Sequence, residues 1–83
     1  MINRVLPSGE LLPMAIETAK RIAANAPIAT RQAKQAVLRG TGMSVWDGLA
    51  MEIEAYNRMV PTEDRREGVL AYNEKRKPDF KGR

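Results

Sequence analysis

The 83-residue sequence contains neither cysteine nor histidine. Without cysteine there is no disulfide framework and no thiolate metal site. Without histidine the commonest general base, metal ligand and near-neutral pH switch are missing. Ser8 and Ser44 are the only serines. A nucleophilic triad would have to come from serine and lysine alone, and both serines stand where a turn or a helix cap is expected. Glu52 and Glu54 are two apart, so on a helix they cannot face one another as an acid–base pair. Gly40 and Gly42 are too few for a phosphate-cradling loop. No apolar run approaches the ~20 residues of a membrane helix, and "MINRVLPSGELL" lacks the apolar core of a secretory signal. These absences predict a soluble, cytoplasmic chain with no catalytic residue and no metal ligand of its own.

What is present suits one small folded domain. The hydrophobic share is 43%, too high for a disordered chain. So short a chain buries a modest fraction of its surface and is expected to be marginally stable. The net charge is +4 and the sequence pI about 9.9, which favours anionic partners. The excess sits at the end. From Glu74 to Arg83, Lys75, Arg76, Lys77, Lys81 and Arg83 face only Glu74 and Asp79.

Helical spacing governs nearly the whole sequence. Only Ile2 to Leu6 hints at strand alternation, and Pro7, Ser8 and Gly9 are expected to end it as a turn. A first helix is predicted from about Glu10 to Ala24. Leu11, Ala15, Ala19, Ile22 and Ala23 form one face, Pro13 falls in the first turn, and Asn25 and Pro27 stop it. Pro27 opens a second helix striped with Ala29, Ala33, Ala36 and Val37, small residues that admit a close neighbour. Gly40 is expected to end it in the left-handed conformation.

Ser44 and Asp47 make a capping box for a third helix, with aspartate in the usual glutamate place. Trp46, Leu49, Ala50, Ile53 and Tyr56 line one side, with Trp46 expected in a core or an oligomer contact. Met43, Met51 and Met59 add adaptable surface, and Pro61 ends the helix. Thr62 caps a fourth, whose Glu63 and Asp64 oppose the helix dipole and whose last turn is expected to hold Lys75, Arg76 and Lys77. Gly68 in mid-helix costs ~1 kcal/mol against alanine, which predicts tight packing on a neighbouring helix. Loops of about two to five residues suit adjacent, roughly antiparallel helices.

The basic end is the sharpest functional signal. It can simply complement a helix dipole and keep the chain soluble. It can also contact an anion, with Lys or Arg beside Tyr72 or Phe80 holding a nucleotide phosphate and stacking its base. Nucleic acid is a weaker candidate, since one short cluster lacks a recognition-helix pattern.

The end of the chain, "TEDRREGVLAYNEKRKPDFKGR", closely resembles the C-terminus of the enoyl-CoA hydratase/isomerase (crotonase) family, where "EDRREG" leads into "AFxEKRKPxFKG". "ELLPMAIETAKRIAANAPIATRQAKQAV" is similar to the preceding family helices, and "INRVLP" to the end of the last core strand, "VNxVVP". The resemblance is collinear over nearly the whole chain. It implies a fold class: all-α, about four amphipathic helices, the C-terminal helical domain of a crotonase-type fold without its ββα core. Residues 1–9 would be the end of a missing strand and its turn, 10–77 a helical lid and trimerisation domain, and 78–83 a basic tail. Met1 would then open a deliberate fragment or a truncated gene product.

The resemblance also implies a function. The family binds acyl-CoA thioesters, stabilises an enolate with two backbone N–H groups, and in hydratases adds water with two glutamates. All of these lie upstream of the segment this chain resembles. The chain is therefore expected to be inactive alone and to need no cofactor, coenzyme A entering only as the thioester substrate. By position in the family, Tyr72 lines the acyl site where phenylalanine is usual, and Lys75 approaches the CoA phosphates. With Phe80, these are the candidate binding residues. Exposed apolar helix faces are expected to drive homo-oligomerisation. Two other readings stay open: a free-standing helical oligomerisation module and a small basic nucleic-acid binder.

Overall fold

The structure, a computed structural model, describes residues 2–83. Residue 1 of the expected 1–9 segment lies outside the described residues. Four helices follow one another: α1 (Ser8–Ala23), α2 (Pro27–Gly40), α3 (Val45–Met59) and α4 (Glu63–Asn73). No strand occurs among the described residues. Residues 2–7 run as irregular chain into α1.

The caps explain most of the boundaries. Ser44 Oγ accepts the Asp47 N–H at 3.2 Å and Thr62 Oγ1 accepts the Arg65 N–H at 3.2 Å, satisfying first-turn donors of α3 and α4. The Ser44 hydroxyl also donates to Asp47 Oδ2 at 2.7 Å. The capping pair is therefore present, but the aspartate is too short to reach the cap backbone and binds the serine hydroxyl instead. Asn25 closes α1, its side-chain amide donating to the carbonyls of Arg21 and Ile22 at 2.9 and 3.2 Å. Pro27 occupies the start of α2, as expected.

Three local expectations are corrected. Helix α1 begins at Ser8 after Pro7, so Ser8 and Gly9 are helical and Pro13 lies past the first turn, where the Gly9 carbonyl loses a partner. Gly40 is not left-handed, because α2 continues through it to a right-handed Thr41 cap. The basic trio is not in α4. That helix stops at Asn73, and Lys75, with φ 53°, turns the chain away.

Only α2 and α3 pack extensively on each other. At one end Gly48 faces Gly40, where a Cβ on Gly48 would stand in ordinary contact, 3.8 Å from the Gly40 carbonyl oxygen. At the other end Tyr56 and Met59 come beside Ala26 and Ala29, so the two helices form an antiparallel hairpin. Ala55 is its buried residue. The expectation that every adjacent pair would pack this way does not hold. Ala55 and Ala71 are the only buried apolar residues described, and Trp46 is 82% exposed, outside any core of this chain.

The overall dimensions follow. The radius of gyration is 16.0 Å, against ~12 Å for a compact chain of this length. The accessible surface is 7253 Å², against ~5,000 Å² for a compact protein of this mass. The alanine stripe of α2 meets α3, but the large apolar side chains of α1 and α3, among them Leu11, Ile22, Trp46 and Ile53, face outward.

Candidate functional site

The densest set of interactions is at α4 and the strap that follows it, residues 79–83. Asp64 is in the first turn of α4 and is 2% exposed. Its Oδ1 accepts the Lys81 N–H at 2.6 Å and its Oδ2 the Gly82 N–H at 2.8 Å. Its own N–H donates to the Arg83 carbonyl at 3.0 Å. A buried carboxylate is costly unless its oxygens are bonded, and here both are. Gly82 meets the strap's geometry with φ +79°, a conformation that side-chain-bearing residues rarely adopt, and packs against Pro27 of α2.

Glu67 lies one turn further along. Its Oε1 accepts the Asp79 N–H at 2.8 Å, and its Oε2 accepts from Arg76 Nη2 at 2.9 Å. Arg76 Nη1 donates to the other oxygen, completing a forked pair, while Arg76 Nε reaches Glu74 at 2.6 Å. The Arg76 guanidinium, helped by the Asp79 N–H, holds the Glu67 carboxyl down at about 2. In return Glu67 and Glu74 push the Arg76 value higher still.

Lys75 forms the hinge between α4 and the strap. The Arg76 N–H bonds to the Ala71 carbonyl at 3.0 Å and the Lys75 N–H to the Tyr72 carbonyl at 3.2 Å. That is a Schellman stop with lysine where glycine is usual. The strap then brings Phe80 over α4, where a Cβ on Gly68 would be 3.6 Å from the ring. The close neighbour of the mid-helix glycine is thus the Phe80 ring and not another helix, at a distance that would also admit alanine.

The fold-back shapes an apolar cleft of about 400 Å³, walled by Ala29, Tyr56, Met59, Val69, Tyr72 and Phe80. Of the three residues singled out in the sequence, Tyr72 and Phe80 meet in this cleft, Tyr72 on its 85% exposed rim. Lys75 is exposed and lies outside its lining. A second groove of about 580 Å³ follows the α2–α3 hairpin past Val37, Val45 and Leu49.

Sequence reasoning missed Asp64 and Glu67 as binders of the strap. The signal was present: two acids three apart in "EDRREG", followed by a Pro- and Gly-bearing tail with backbone donors to offer. The charge balance changes too. Arg76, Lys81 and Arg83 pair with Glu67 and Glu74, Asp79, and Glu63 respectively, which leaves Lys75 and Lys77 without an ion pair among the described residues. No described helix is long and apolar enough to cross a membrane.

Residues 1–83 match the enoyl-CoA hydratase/isomerase family from end to end. The chain belongs to that family. It is 39% identical to the 2,3-dehydroadipyl-CoA hydratase of Escherichia coli (strain K12) over 83 residues, all of this chain and 32% of that protein. It is also 39% identical to the short-chain-enoyl-CoA hydratase of Clostridium acetobutylicum, again over all of this chain and 32% of the relative. The crystal structure of enoyl-CoA hydratase from Bacillus anthracis superposes with a TM-score of 0.92 at 46% identity, covering 95% of this chain and 31% of that one. The chain thus spans about a third of the length of these enoyl-CoA hydratases. It is a four-helix segment of the crotonase fold without the ββα core.

Proposed function

We propose that this chain is the C-terminal helical segment of an enoyl-CoA hydratase acting on acyl-CoA thioesters, supplying lid, subunit contacts and a CoA contact, and silent by itself. One observation carries the reading: family membership runs through every residue, yet the apolar faces of α1, α2 and α3 are left uncovered. Helices with such stripes are built to rest on a larger body. Tyr72 and Phe80 supply an apolar cleft for acyl or pantetheine carbon. Lys75 and Lys77, the two cations of the basic end without an ion pair among the described residues, supply charge for CoA phosphates. No residue is assigned a catalytic role.

Two measurements test this. Crotonyl-CoA incubated with the purified chain is expected to remain unhydrated, and turnover would overturn the silent-alone reading. Calorimetric titration with CoA is expected to show salt-sensitive binding that weakens several-fold in Lys75→Ala, and unchanged affinity would remove Lys75 from the contact. The free-standing oligomerisation module is the second reading, favoured by the same exposed faces. The nucleic-acid reading gains nothing, because most of the basic end is neutralised within the chain.

A further inference from the structure

We propose that Asp64 is a positioning residue: its carboxylate clasps the backbone of the strap, and that grip makes Phe80 a wall of the cleft it shares with Tyr72. Three independent facts converge on Asp64. It is the only buried charged residue among those described. Each oxygen holds a separate strap N–H, at Lys81 and Gly82, and the Asp64 N–H returns a bond to Arg83. The strap contains no helix or strand, so it has no hydrogen-bond ladder of its own. It needs an external partner to stay in place.

The geometry gives the clasp a direction. Phe80 immediately precedes the two gripped residues, and its ring lies over Gly68, one turn beyond Asp64 on α4. Glu67 holds the strap on the other side of Phe80, at the Asp79 N–H. The aromatic is therefore pinned at both flanks by carboxylates of one helix. If the strap were released, the cleft would keep Ala29, Tyr56, Met59 and Tyr72 on the helices and lose the Phe80 wall. The role in acyl-CoA binding rests on the proposed function; the positioning of Phe80 does not.

Asp64→Asn tests the proposal, because asparagine keeps the shape but turns an N–H₂ donor toward a backbone N–H donor. Gly82→Pro attacks the same contact from the strap. It removes a gripped N–H and forbids φ +79°, while every helix keeps its own residues. Glu63→Gln, which breaks the exposed pair with Arg83, is the control. In both clasp variants the nuclear Overhauser contact between the Phe80 ring and Gly68 is expected to vanish, with amide exchange at residue 81 faster by at least tenfold and far-ultraviolet helicity unchanged. The contact should persist in Glu63→Gln. Its persistence in Asp64→Asn and Gly82→Pro alike would overturn the proposal.

Butyryl-CoA titration then separates positioning from mere structure. Asp64→Asn and Phe80→Ala are each expected to weaken binding about tenfold, and the double variant no further than Phe80→Ala alone. Additive losses would mean that Asp64 acts by some route other than Phe80. If the unaltered chain binds no butyryl-CoA, the acyl-CoA reading fails while the resonance and exchange data still decide the clasp.

Discussion

Gly68 lies beneath the ring of Phe80 at a separation that leaves room for a single methyl group, 3.6 Å from Cε1. That distance is ordinary van der Waals contact, so Gly68→Ala is expected to be accepted. Alanine in a helix interior is favoured over glycine by ~1 kcal/mol, and α4 should gain up to that amount. Gly68→Leu has no such room and should lift Phe80 away. Thermal melts followed by circular dichroism, with the Phe80 ring resonances as the local report, distinguish the two. A loss of stability in Gly68→Ala would show that the ring sits closer than described.

The Glu67–Arg76 pair predicts an acid-sensitive strap. The folded carboxyl titrates at about 2, below its unfolded value near 4.3. A depressed carboxylate adds stability that is complete above the unfolded value and is lost as pH falls through the folded one. The strap should therefore hold unchanged from neutral pH to about 4.5 and loosen between there and about 2. The groups facing Glu67 are Arg76, Lys81 and the Asp79 N–H, with Glu74 sharing Arg76. The Asp79 amide shift, followed by pH, is the measurement. Glu67→Gln should remove the Glu67 contribution to that transition, and high salt should shrink it.

Lys75 combines an unusual backbone with a candidate ligand contact. Its φ of 53° is disfavoured by about 1–2 kcal/mol for a side-chain-bearing residue, and glycine gives part of that back through greater freedom in the unfolded chain. Lys75→Gly is expected to stabilise the α4 stop by less than ~1 kcal/mol while lowering CoA affinity. Lys75→Val should destabilise the stop and lower affinity as well. Equal affinities in lysine and glycine forms would leave only the turn as a role for this position.

The uncovered helix faces predict association. Burial of apolar surface is worth ~25 cal/mol per Å², and this chain exposes about 2,300 Å² more than a compact protein of its mass. Sedimentation velocity should show concentration-dependent oligomers. Trp46→Ala should weaken them while changing the chain's own helicity little, since the indole is almost fully in solvent. Trp46 emission should shift to the blue as concentration rises. A monomer at high concentration, with unshifted emission, would count against the interface.

The helices were legible because their signals are local. Ser44, Thr62, Asn25 and Pro27 each act within a turn of their own position, and each does what its residue type suggests. The alanine stripe of α2 correctly announced a close neighbour, which is α3. What escaped was non-local. Asp64 reads as an ordinary first-turn acid until residues 81 and 82 are seen on it, seventeen and eighteen positions away. Gly68 called for a close neighbour, but spacing cannot say whether a helix or an aromatic ring supplies it. The end of α4 was misplaced because positive charge favours a helix terminus in general, whereas here Arg76 has carboxylate partners that draw it out of the helix. At the candidate site, Tyr72, named from the family pattern, and Phe80, named from the basic and aromatic end, line one cleft. Lys75 was found too, but beside the cleft.

The grip of Asp64 falls on main-chain amides, and those are the same in nineteen of the twenty amino acids. The identities at 81 and 83 can therefore drift without unlatching the end of the chain. Only proline at 81 or 82, or any bulk at 82 that resists its positive φ, should be intolerable there. A tail held in this way is free to change its surface chemistry, and with it what it touches, while its path across the helix stays the same.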